Sequence, residues 1–192
     1  MAVDIDWAAE TAAEMLSPLG RRWLHVKAVA ARARTLSATI FTTTRDAEML
    51  VAAAYLHDIG YAPPIATTGF HPLDGGRFVR DAGWPEVATL VAQHTGARNE
   101  SLLRGADLLA EFPFEDSMLY RALTYCDLTT GPDGLGTTVD DRVAEIVQRY
   151  GADHVVSRAI LMGRAEFKDI ESEMQNMLSV NESQESLQTD SR

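Results

Sequence analysis

The chain reads as an all-α protein, a single bundle of about seven or eight helices. Three observations predict this. No run keeps the apolar–polar alternation of a half-buried strand, while apolar residues recur at helical spacing along most of the chain. Capping boxes open two of those runs, Thr43 with Asp46 and Thr138 with Asp141. Prolines and glycines punctuate the remainder where first turns and helix ends would fall.

Taken in order, Asp6 can cap a first helix through Trp7, Met15 and Leu16, closed by Pro18 and Gly20. A second runs from Arg21 to Ala38, with Leu24, Val29, Ala33 and Leu36 along its buried side. The third starts at the Thr43 box and ends in His57-Asp58, before Gly60. Pro63-Pro64 and Gly69 then force a loop. Pro72 opens a fourth helix that Gly83 closes, and Pro85 a fifth that reaches His94 and ends at Gly96. Between 96 and 116, Leu102, Leu103, Leu108 and Leu109 suggest short turns around Gly105 and Pro113. Ser117 caps a sixth helix ending at Asp127, followed by the loop TTGPDGLG. A seventh follows the Thr138 box to Gly151, and a long eighth runs from Asp153 to Leu178. The polar stretch SVNESQESLQTDSR has little to bury, so 179–192 is expected to be a disordered tail on a domain spanning 1–178.

Composition bounds the function. With 192 residues and an apolar fraction of 46%, one domain with a sizeable core is expected. A net charge of −11 argues against general nucleic-acid binding or an anionic membrane surface, because the mean field repels both. It leaves room for a small phosphorylated substrate, since a metal centre sets the potential of its own cleft. No apolar run reaches membrane-spanning length, and the start MAVDIDWAAE lacks a signal sequence. The single cysteine, Cys126, excludes an intramolecular disulfide and fits a reducing cytoplasm. Oligomeric state stays open.

The candidate chemistry lies in His25, His57, Asp58, His71, His94 and Asp127. Imidazoles and carboxylates are the usual ligands of first-row divalent ions. Four of the chain's 5 histidines fall in this ordered series, most of them at expected helix ends that can converge on one cleft. Singly, each has an ordinary structural explanation, as a core histidine, a turn aspartate or a cap. Together they resemble the HD-domain superfamily of metal-dependent phosphohydrolases, over roughly residues 20 to 150. LHDIG matches that superfamily's signature, and FHPLDGGRFVRDAG, QHTGA and YCDLTTGPDG are similar to its further ligand blocks.

The resemblance implies a fold and a site. Its minimal ligand set is His25, His57, Asp58 and Asp127, and the extra His71 and His94 match dinuclear members. Asp58 would then bridge two ions, one held by His25, His57, Asp58 and Asp127, the other by Asp58, His71 and His94. An all-N/O set suits iron or manganese, with magnesium, cobalt and nickel also compatible; without a cysteine pair, a structural zinc site is not expected. Such a centre would acidify a bridging water to hydroxide near neutral pH and direct it at phosphorus. Arg21 and Arg22, before His25, and Arg98, after the His94 block, are candidate phosphate contacts. The expected function is therefore hydrolysis of a phosphoester, such as that of a nucleotide. A mixed-valent di-iron oxygenase and a non-catalytic regulatory or binding protein are the alternatives. The Glu-Asp pair of alarmone hydrolases is absent after His57-Asp58, no GYP tripeptide appears, Tyr61 stands where a lysine is frequent, and Gln93 stands where several relatives double the histidine.

Overall fold

Helices begin where the sequence offers an acceptor to free N–H groups. In the computed structural model, which describes residues 3–189, α1 (Ile5–Leu16) is capped by Asp4, whose carboxylate accepts from the Trp7 N–H at 2.9 Å. The cap is thus Asp4 and not Asp6, which sits inside the first turn. α2 (Arg21–Ile40) and α3 (Thr44–Leu56) follow, the latter capped by Thr43 as the sequence predicts. A 3-10 turn, Ile59–Tyr61, separates α3 from α4 (His71–Asp81). Proline occupies the first turn of both α4 and α5 (Pro85–Gln93), where its missing N–H costs nothing.

The 96–116 segment resolves into α6 (Ala97–Arg104) and the single turn α7 (Leu108–Glu111). Ser117 caps α8 (Met118–Leu128), and Thr138 caps α9 (Val139–Tyr150). Beyond Gly151 the expected single long helix is two: α10 (Val155–Met162) and α11 (Arg164–Thr189). The break at Gly163 has a steric cause. A Cβ there would lie 2.3 Å from Phe167 Cζ and 2.6 Å from its Cε2, so only glycine admits that ring where α10 stops.

α3 is buried nearly all round, with Val51, Ala52, Ala53, Ala54 and Leu56 at most 2% exposed, and α1, α2, α5 and α8 pack about it. Its run of alanines lets those neighbours approach closely. A second, smaller cluster joins Leu128 to Val139, Val143 and Ile146 of α9, Ile160 of α10 and Phe167 of α11. The site lies where these two clusters meet.

α11 continues past Leu178, where the sequence reading ends the helix and expects disorder. The backbone is helical to Thr189, no glycine or proline interrupts it, and Asn181 donates to the Thr39 carbonyl at 2.9 Å near the end of α2. Residues 190–192 of the expected tail lie outside the described residues. Among the described residues no helix is long and apolar enough to cross a membrane.

Candidate metal centre

Three of the four histidines of the site are oriented by a backbone carbonyl. His57 ends α3, and its Nδ1 lies 2.8 Å from the Ala54 carbonyl, three residues back. His94 ends α5 in the same way, with Nδ1 2.6 Å from the Val91 carbonyl. His25, inside α2, sets Nδ1 3.1 Å from the carbonyl of Gly131, in the loop after α8. A carbonyl only accepts, so in each ring Nδ1 donates and the Nε2 lone pair turns into the cleft. The Gly131 carbonyl is an orienting group the sequence reading missed.

The turn between His57 and His71 is equally specified. A Cβ on Gly60 would lie 2.0 Å from the His71 carbonyl oxygen and 2.7 Å from the Gly75 nitrogen. Only glycine lets the turn rest on the start of α4, and that contact brings His71 beside Asp58.

All six predicted ligands converge. Their donor atoms form two groups, each within 4.8 Å of one another: His25, His57 and Asp127, and Asp58, His71 and His94. Asp58 stands between the groups, with Oδ2 3.5 Å from His57 Nε2 and Oδ1 3.5 Å from His71 Nε2. His25 Nε2 approaches Asp127 Oδ1 at 3.0 Å, and the Nε2 atoms of His71 and His94 face each other at 3.3 Å.

The donor set fits a cation. His57 Nε2 is buried without a hydrogen-bond partner, although a buried acceptor left unpaired is costly. Burial lowers the His57 and His71 imidazole pKa values below the ordinary 6.5, against the opposing pull of Asp58, so both stay neutral. Burial opposes the charge of Asp58 and Asp127, yet Arg22 beside the first and the His25 and His57 imidazoles beside the second hold both carboxyls well below the usual carboxylate range. Neutral imidazoles and ionised carboxylates are the forms that ligate. The C-terminal ends of α3, α5 and α8 also point their partial negative charge at the cluster. Thr95, after His94, has φ +35°, a strained value for a β-branched residue held at the site.

The candidate arginines separate. Arg22 Nη1 lies 2.5 Å from Asp58 Oδ2, and its guanidinium covers the Tyr61 ring at 3.5 Å, while Tyr61 stacks on His71 at 3.9 Å. Arg21 lines an adjoining cavity. Arg98 is not brought to the cleft: it pairs with Glu166 at 2.6 Å and stacks on Phe114. Thr129 and Thr130 turn their hydroxyls back to the Tyr125 and Cys126 carbonyls. Cys126 is fully buried, and burial pushes its thiol up to about 12.

The sequence reading missed Arg142 and Arg149, which reach the mouth of the cleft from α9. One signal could have found Arg142. It occupies the apolar face of α9, between Val139 and Ile146, where a charge needs a reason.

A helical bundle with histidines and aspartates gathered at helix ends defines a class, the HD-domain proteins. The family model for the HD domain matches residues 22–150, and the chain belongs to that family. Comparison with curated proteins and with solved structures returns no match.

Proposed function

We propose that the protein is a metal-dependent phosphohydrolase that cleaves a phosphoester at a dinuclear centre. The observation that carries this reading is the convergence of four imidazoles and two carboxylates around the unpaired, buried His57 Nε2. His25, His57, Asp58 and Asp127 would hold one divalent ion, and Asp58, His71 and His94 the other. Bound ions would supply Lewis acidity and a more acidic water.

The remaining work falls to side chains already in place. Hydrolysis joins a water oxygen to phosphorus, breaks the P–O ester bond and leaves an alcohol that takes up a proton. Arg22 lines the cleft beside Asp58, His71 and His94 and offers donors to phosphoryl oxygens. Burial raises the Tyr61 hydroxyl well above its ordinary 10.0, so it stays protonated and donates to the phosphoryl or leaving oxygen. The four histidines and Asp127 stay fixed by the groups that orient them.

The test is metal analysis of protein purified without chelator, then assay against phosphoesters and nucleotides with Mn²⁺ or Fe²⁺, with and without O₂. The expected result is about two ions per chain and phosphate release that persists anaerobically. Strict O₂ dependence without phosphoester turnover would replace this reading with the di-iron oxygenase. Full metal loading with no turnover of either kind would replace it with a binding protein.

A further inference from the structure

We infer that the cavity beside the metal cluster binds a second, uncleaved phosphate of the substrate, so that the substrate class is a bisphosphorylated or polyphosphorylated compound. This rests on the phosphohydrolase reading and deepens it. The inner cavity, about 70 Å³, is lined by every candidate ligand except His57. An outer one of about 210 Å³ adjoins it and shares Arg22, His25, Arg142 and Arg149. To these the outer cavity adds Arg21, and no carboxylate lines it among the described residues.

The charges there do not cancel. Arg22 is matched by Asp58. Arg142 and Arg149 share one carboxylate, Glu145, at 2.5 and 3.5 Å. Arg21 has no ion-pair partner among the described residues. Two positive charges are therefore in excess, in a chain whose net charge is −11. A dianionic phosphate balances that excess, whereas a single carboxylate would leave half of it.

Arg142 shows that the cavity is a built site. The residue is 7% exposed, and its Nε is buried without a hydrogen-bond partner. Glu145 satisfies only one arm of a planar, five-donor fork. A buried charged donor left open is costly, and the fork matches the geometry of phosphate oxygens. Arg142, Glu145 and Arg149 follow one another at i, i+3 and i+7 on α9, so one rigid helix face presents both guanidiniums. The inner cavity holds the smaller volume, and the phosphate to be cleaved belongs there. The spectator phosphate then sits outward, between Arg21, Arg142 and Arg149.

The test uses the full chain and inorganic diphosphate. Calorimetric titration of metal-free protein should show binding that weakens about tenfold or more in Arg149→Gln and in Arg21→Gln/Arg149→Gln, since a charge-assisted hydrogen bond is worth at least that factor. Arg142→Lys keeps the buried charge but removes the fork, and should weaken it too. Metal content and melting temperature, measured on each variant, show that the fold and the cluster persist. In the loaded enzyme the KM for bisphosphorylated substrates should rise by a similar factor, with kcat changing less, and diphosphate should inhibit competitively. Unaltered diphosphate binding in all three variants would overturn the inference while leaving the hydrolase reading intact. Arginine-dependent diphosphate binding without turnover of any phosphoester would sustain the anion site and overturn the hydrolase.

Discussion

Asp58 has two oxygens and three neighbours contending for them: Arg22 and His57 on one side, His71 on the other. Arg22 supplies the positive charge opposite Asp58 that bound cations would otherwise provide. Asp58→Ala should therefore abolish metal retention, measured by elemental analysis. It also leaves Arg22 uncompensated, at a cost of roughly 2–3 kcal/mol in the metal-free protein. Asp58→Asn keeps the shape without the charge and should also lose the metal. Full metal content in either variant would remove Asp58 from the bridging position.

The same residues set the pH response of the metal-free protein. His57 and His71 resist protonation when folded, so below the ordinary 6.5 the unfolded chain binds protons that the folded chain refuses. Their contribution is complete above 6.5 and is lost as pH falls through that value, at up to roughly 1.4 kcal/mol per proton per pH unit. Asp58 and Asp127, held low, contribute stability that is present above the ordinary 3.8 and lost only as pH falls below it toward their folded values. Melting of chelated protein should begin to fall near pH 6.5, with a second decline in the carboxylate range. A flat melting temperature down to pH 5 would contradict the first step, since neutral buried imidazoles produce it.

At the scale of elements, the turn after α3 ties His57-Asp58 to the start of α4. Gly60→Ala drives a methyl into backbone atoms of His71 and Gly75, which cannot yield without moving α4 as a whole. The expected result is loss of the half of the site that needs His71, seen in a metal titration as one class of ion bound where the proposed dinuclear centre requires two. The ligand pair was legible in the sequence, because LHDIG carries both, but the tie was not, since the contact of Gly60 with His71 and Gly75 exists only once α4 has packed. The capping of α3, α8 and α9 was legible as well, since a hydroxyl three residues before an acceptor or N–H is a local device. Arg149 was not, and Arg142 left only one trace, its place on the apolar face of α9. Charged residues on an amphipathic helix ordinarily face water, and the packing of α9 against α10 and α11 is what buries Arg142. The division at Gly163 escaped notice because its cause, the Phe167 ring, depends on the packed core and not on neighbouring residues. Arg98 failed for the opposite reason: its nearness to His94 in sequence carries no direction, and α6 points it at Glu166.

Across the whole molecule, the part beyond the family match braces the part within it. Phe167 lies under Gly96, where a Cβ would meet its ring at 3.3 Å, and so supports the strained loop that carries His94. Asn99 donates to the Ala159 carbonyl at 3.3 Å, and Glu166 accepts from both Arg98 and Tyr120. Truncation after Leu178 removes none of these contacts, and should leave metal content and turnover nearly unchanged. Phe167→Ala leaves a large core void and should cost roughly 3–5 kcal/mol, with weaker retention of metal in the His71–His94 half. Equal metal affinity in that variant, measured by competition with a chelator, would separate the brace from the site.

This bracing gives the site an order of assembly. During synthesis all six candidate ligands leave the ribosome once Asp127 has emerged, yet the ring that steadies the His94 loop is still to be made. A nascent chain halted between Asp127 and Phe167 should hold cations loosely and exchange them quickly. Release of Phe167 should slow that exchange, so that the choice of metal remains open until the C-terminal helices close over it.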